Sequence, residues 1–132
     1  MSPKILIAED DPSLARLLQS SLESAGFHVI QAGDSASAWS MIQTQELVLA
    51  LIDTNVRGLR ESNVLSRVRA DPALSYLPVV ILGKTDSPEE AVEWLNLGAD
   101  DYISRSVSGR LLTAGVHARL RHGRLPSPAG AR

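Results

Sequence analysis

The sequence predicts an α/β domain in which a five-stranded parallel sheet is doubly wound by five helices. Three observations predict it. Five short apolar runs of strand length recur along the chain, and each is followed by a stretch with apolar residues at helical spacing. Hydrophobic residues make up 44% of the 132, enough for one buried core and too many for a disordered chain. The runs are apolar throughout rather than alternating, as in strands buried on both faces beneath helices.

Lys4-Ile5-Leu6-Ile7-Ala8 is the first strand, and it stops at Glu9-Asp10-Asp11. Asp11 is an N-cap, and Pro12 opens a helix carrying Leu14, Leu17, Leu18, Leu22 and Ala25. Gly26 ends that helix, and Phe27 to Ile30 is the second strand. Asp34 caps a helix with Ala38, Trp39 and Ile42 on one face. Leu47 to Ile52 is the strand of most buried character, stopping at Asp53, with a helix through Val64, Leu65 and Val68 after it. Pro78 to Leu82 is the fourth strand. Ser87-Pro88-Glu89-Glu90 has the pattern of a capping box and starts a helix through Val92 and Leu95, which Gly98 closes. Tyr102-Ile103-Ser104 is the fifth strand, and Ser108 caps a last helix with Leu111, Leu112, Val116 and Leu120 inward. One domain over residues 1–122 is expected, with 123–132, rich in proline, glycine and serine, as a tail or the start of a linker.

Composition narrows the function classes. Without cysteine there is no disulfide framework and no thiolate metal site. No apolar run approaches the roughly 20 residues of a membrane span, and Met1-Ser2-Pro3-Lys4 does not begin a signal peptide, so a cytoplasmic location is expected. Net charge is −2. Beyond Asp101 there is no acidic residue, while Arg105, Arg110, Arg119, Arg121, Arg124 and Arg132 follow. No aromatic is interleaved among them to stack on bases, so they read as a solvated helix face rather than a nucleic-acid surface.

Ligands of open parallel sheets bind beyond the carboxyl ends of the strands, where the strand order reverses. In a flavodoxin-like order, 2-1-3-4-5, the first and third strands are neighbours at that reversal. Glu9, Asp10 and Asp53 then meet in one cleft. Two carboxylates about 4 Å apart repel by about 1 kcal/mol in water and about 4 kcal/mol at an effective dielectric of 20. Such a cluster favours a hard cation or a raised pKa, and Mg²⁺ suits a few oxygen ligands with several waters retained. Asp11 reads as a cap alone.

These residues resemble a known family. Ile5 to Pro12, Pro78 to Leu82 and Gly98-Ala99-Asp100-Asp101-Tyr102, with the mid-chain Asp53, are similar to the segments of response-regulator receiver domains over about residues 4–122. The resemblance implies that Asp53 is the phosphoacceptor, taking a phosphoryl group from a histidine kinase or phosphotransfer protein. It implies Mg²⁺ held by Glu9, Asp10, Asp53 and the backbone carbonyl of Asn55. Tyr102 matches the aromatic that changes rotamer on phosphorylation. By the same resemblance an effector protein or a fused output domain is expected downstream, and the domain itself is expected to be a signalling module rather than an enzyme, binding neither nucleic acid nor membrane.

The match breaks at the switch positions. The Thr or Ser that ends the family's fourth strand is Gly83, which leaves a gap beside Asp53 open to a water or to Arg105. Thr85 stands two residues on. The family's Lys is Arg105, followed by Ser106 in place of proline; its Met-Pro is Val56-Arg57 and its acidic-Gly pair Arg60-Glu61. Arginine is a planar fork rather than a point charge, and an Arg105–Asp53 ion pair would hold the site in one state. Two readings follow: a phosphoacceptor with weakened switching, or a phosphorylation-independent interaction module. Trp94, one residue before Leu95, is expected toward the outside of its helix as an interaction anchor beside Tyr102, or folded over the helix surface. An Mg²⁺-dependent phosphohydrolase is disfavoured because Asn55 stands where its second acid belongs. Nucleotide or flavin binding is disfavoured because acids follow the first strand in place of a Gly-rich loop.

Overall fold

The computed structural model describes residues 2–106 and 109–122. The chain alternates strand and helix as β1 (Lys4–Ala8), α1 (Pro12–Ser24), β2 (His28–Ala32), α2 (Ser35–Thr44), β3 (Leu47–Asp53), α3 (Leu59–Ser62), α4 (Val64–Ala70), β4 (Val79–Gly83), α5 (Pro88–Leu97), β5 (Asp101–Ser104) and α6 (Gly109–His122). All strand pairs are parallel, in the order β2-β1-β3-β4-β5. The predicted sheet is therefore the one formed.

Alternate residues of the continuous apolar strands serve opposite faces. Leu6, Ala8, Ala50, Ile52, Val79 and Ile81 pack with Ala38, Ile42, Val64, Leu65 and Val68 on one side. Ile5, Ile7, Leu49, Leu51, Val80 and Leu82 pack with Leu18, Leu22, Leu112 and Val116 on the other. The register slips between Lys4 and Ile5, and Val48 at the slip is exposed.

Local chemistry sets the helix ends. Asp11 Oδ1 accepts hydrogen bonds from the Ser13 and Leu14 amides, and Asp34 Oδ1 from the Ser37 amide at 2.7 Å. At α5 only half of the capping box forms. Ser87 Oγ accepts from the Glu90 amide, while the Ser87 amide turns to Thr85 Oγ1 at 3.2 Å rather than to Glu90. Gly98 closes α5 at φ 120°, with its carbonyl held by Arg69 Nε at 2.9 Å. Arg69 also reaches the Ser75 and Leu77 carbonyls and Asp100 Oδ2, which in turn accepts from the Val79 amide. Asp100 thus fastens the start of β4 and the end of α5.

Several expectations change. The second strand starts one residue later and ends two residues later than expected, at His28–Ala32, and the fifth begins at Asp101. The third expected helix comes in two pieces, because Asn63 sits in the left-handed region at φ 54°, where asparagine is among the few tolerated residues. Leu17, Val92, Leu95 and Leu111, assigned inward by spacing, are exposed. Trp94 is corrected most. It is 2% exposed and part of the core, neither an exposed anchor nor a ring laid on the helix surface. With Ser87 fixing where α5 starts, Trp94 is buried and Ala91 half-buried while Val92 and Leu95 are exposed. The larger ring gains more by burial than Leu95 does. The proposed cap Ser108 and the segment 123–132 lie outside the described residues.

Candidate functional site

The site follows from two strands that end side by side. Ala8 pairs with Ile52, so Glu9 and Asp10, just beyond β1, meet Asp53, the last residue of β3. One carboxylate oxygen from each of Glu9, Asp10 and Asp53 lies within 4.8 Å of the others. Asp53 is fully buried and Glu9 nearly so, while Asp10 faces solvent. Rigid apolar strands carry both buried acids, so neither withdraws from the other.

Hydrogen bonds fix one oxygen of each buried acid and leave the second without one. Asn55 N–H donates to Asp53 Oδ1 at 2.7 Å, and Asp11 N–H donates to Glu9 Oε2 at 2.9 Å. Glu9 Oε1 and Asp53 Oδ2 are buried with no hydrogen-bond partner among the described residues. Buried oxygens without donors are costly unless a proton or a cation serves them. Burial first, and then the neighbouring Asp53, push the Glu9 carboxyl up to about 8; the Asp11 amide and Arg105 act the other way. This oxygen set fits a hard divalent cation. Mg²⁺ takes a few such oxygens and keeps several waters.

Arg105 is the cation the chain itself brings. It follows β5, and its amide donates to the Gly83 carbonyl at 2.8 Å. Its Nε lies 3.2 Å from Asp53 Oδ2, and its Nη2 lies 3.4 Å from Asp11 Oδ2 and 3.7 Å from Glu9 Oε2. The anticipated Arg105–Asp53 ion pair is present. Asp11 is more than a cap, because Oδ1 holds the helix while Oδ2 faces the guanidinium. Sequence spacing gave no signal for that second role, which depends on where β5 delivers Arg105.

The gap expected over Gly83 is filled by neither water nor Arg105 but by Tyr102. A Cβ built on Gly83 would collide with the Tyr102 hydroxyl and ring. The hydroxyl donates to the Thr85 carbonyl at 2.8 Å, and burial raises its pKa above the usual phenol value. The Thr85 side chain stays at the start of α5, bonded to Glu90 and to the Ser87 amide, away from the acids. Trp94 lies under Arg60, whose guanidinium carbon sits 4.7 Å from the ring centroid, and Arg60 also pairs with Glu93. Arg67 covers Trp39 in the same way at 4.3 Å.

Comparison with known proteins agrees with this geometry. A sequence profile of the response regulator receiver domain matches residues 5–117. Response regulator GtcR of Aneurinibacillus migulanus is 34% identical over 121 residues, which cover 92% of this chain and 49% of that protein. The alkaline phosphatase synthesis transcriptional regulatory protein PhoP of Bacillus subtilis is 33% identical over 129 residues, covering 98% and 53%. The chain thus spans about half the length of these curated relatives. Among solved structures, the phosphorylated cyanobacterial phytochrome response regulator RcpA is similar with a TM-score of 0.79 at 25% identity, covering 96% of this chain and all of that one. The chemotaxis response regulator CheY4 of Vibrio cholerae gives 0.80 at 21% identity over 89% and 98%, a likeness that concerns the fold alone. Among the described residues, no helix is long and apolar enough to cross a membrane.

Proposed function

The chain belongs to the response regulator receiver family, and from that premise we infer that it is a phosphoacceptor domain of a two-component relay whose switch is weakly coupled to its output face. The observation that carries this reading is the pair of buried oxygens on Glu9 and Asp53 that accept no hydrogen bond among the described residues, with Asp10 beside them. The Asp53 carboxylate, one oxygen of which accepts from the Asn55 amide and the other of which faces Arg105, would attack phosphorus. The attack forms an aspartyl phosphate as the phosphorus–nitrogen bond of a phosphohistidine breaks and the imidazole leaves. Mg²⁺, held by Glu9, Asp10, Asp53 and the Asn55 carbonyl, would neutralise charge on the phosphoryl oxygens. Arg105 supplies a second positive charge to the same oxygens.

Weak coupling follows from position 83. A Thr or Ser there donates a hydroxyl hydrogen bond to the phosphoryl group; Gly83 donates none. A charge-assisted hydrogen bond of this kind is worth about 1.5–3 kcal/mol. A ligand shifts a two-state equilibrium only by its differential affinity, so losing that bond removes much of the bias. The donor of the phosphoryl group is a histidine kinase or phosphotransfer protein, and the reader is an effector protein or an output domain fused beyond residue 122. The receiver unit covers residues 1–122 with 123–132 as its tail or linker. It acts in the cytoplasm, and as a signalling domain it performs at most its own phosphotransfer and dephosphorylation.

Incubation with acetyl phosphate and Mg²⁺, followed by intact mass measurement, tests the reading. One added phosphoryl group is expected, absent in Asp53→Asn and absent in EDTA. If no adduct forms, the second reading takes its place: a phosphorylation-independent interaction module. Tyr102 already seated over Gly83 and Arg105 already paired with Asp53 are the observations that favour that alternative.

A further inference from the structure

We propose that Arg105 is the resident counter-cation of the acidic pocket and that the reach of its fork, past Asp53 to Glu9 and Asp11, sets how tightly the pocket binds a divalent ion. The inference rests on the reading of Glu9, Asp10 and Asp53 as a cation site. Arg105 is the ion-pair partner of Glu9, Asp11 and Asp53 alike among the described residues. Its stem begins at a fixed point, the amide bonded to the Gly83 carbonyl. Its far end meets a second fixed point, because Asp11 is held in place by capping α1 through Oδ1 and turns Oδ2 to Nη2. Tied at both ends, the guanidinium lies across the pocket with Nε at Asp53 Oδ2 and Nη2 3.7 Å from Glu9 Oε2. Asp53 Oδ2 is one of the two buried oxygens with no hydrogen-bond partner, so the oxygen Arg105 faces is also one a divalent ion would take. Lysine at this position would place a compact charge on Asp53 without a second nitrogen on the Glu9 side. Arginine puts positive charge among the oxygens a divalent ion would share. Metal binding is then opposed by like charge, and the fork must retract from Glu9 to admit the ion.

Calorimetric Mg²⁺ titration of the whole chain, in Arg105→Lys and Arg105→Gln beside the parent, separates fork from charge. Expected is Mg²⁺ binding at least tenfold tighter in Arg105→Lys, and at least as tight again in Arg105→Gln. The Mg²⁺-induced rise in melting midpoint should grow in the same order, with circular dichroism in EDTA showing each variant folded. Equal affinity in parent and Arg105→Lys, with tightening in Arg105→Gln alone, overturns the role of the fork in favour of net charge. Equal affinity in all three overturns any place for Arg105 in the cation's pocket, while the phosphoacceptor reading survives if acetyl phosphate still labels Asp53. Absence of Mg²⁺ binding in every variant overturns this inference and the cation site together.

Discussion

Burial, and then the Asp53 carboxylate beside it, push the Glu9 carboxyl up to about 8, so Glu9 holds a proton at neutral pH. Its pKa of about 8 exceeds the unperturbed 4.5, so between those values the native protein holds a proton that the unfolded chain releases. Stability therefore falls as pH rises across that window, by up to about 1.4 kcal/mol per pH unit. Urea unfolding in EDTA at pH 5.5 and 7.5 is expected to show this loss in the parent, with a clearly smaller one in Glu9→Gln, which mimics the protonated acid. Saturating Mg²⁺ should cancel the loss, since a bound cation favours the ionised carboxyl. Position 83 carries the other residue-scale prediction. Because a Cβ there collides with Tyr102, Gly83→Ala should cost about 1–3 kcal/mol, the usual penalty of overpacking. The cost should nearly vanish in a Tyr102→Ala background; an equal cost in both backgrounds, read from chemical denaturation, would mean that the ring is not what fills the slot. The acids themselves were legible in the sequence, since strand tips and topology suffice to gather them. The tenant of the Gly83 slot was not, because composition says that a side chain is missing and nothing about which neighbour leans into its place.

Helix α5 shows why spacing alone misassigned a face. Val92 and Leu95 are three apart and look like a buried stripe, yet both are exposed, while Trp94 is buried and Ala91 half-buried. The phase of a ten-residue helix is set by its cap, and the largest apolar surface wins the inward position. Trp94→Ala is accordingly expected to cost about 3–5 kcal/mol, in the range of large aromatic truncations, where Leu95→Ala costs under about 1 kcal/mol; equilibrium unfolding ranks the two. The helix that Val64, Leu65 and Val68 announced does form, but Asn63 divides it and frees α3 to carry Arg60 to Trp94. No periodicity could announce the break, because a single left-handed asparagine leaves the apolar pattern on either side intact.

At the scale of the whole molecule, the fold was readable because the five apolar runs, the caps Asp11, Asp34 and Ser87 and the closing glycines Gly26 and Gly98 agree on one alternation of strands and helices. The proposed path from Asp53 to the face of α5, β5 and α6 is where local rules give out, since it depends on how Gly83 at the end of β4 meets Tyr102 and Arg105 from β5. In the present arrangement Tyr102 already lies against β4 with its hydroxyl on the Thr85 carbonyl, and phosphorylation at Asp53 has no hydroxyl at position 83 to pull upon. Beryllofluoride with Mg²⁺ should therefore perturb backbone amide resonances at the ends of β1 and β3 and at Arg105, but leave Tyr102 and the exposed residues Val92, Leu95 and Leu111 near their starting positions. Gly83→Thr should behave differently. Its side chain must expel the ring, lowering stability, and it restores a hydroxyl donor, so the mimic should now shift resonances along α5, β5 and α6. Large shifts on that face in the parent protein would show that signal travels from Asp53 by a route other than position 83, and weak coupling would have to be abandoned.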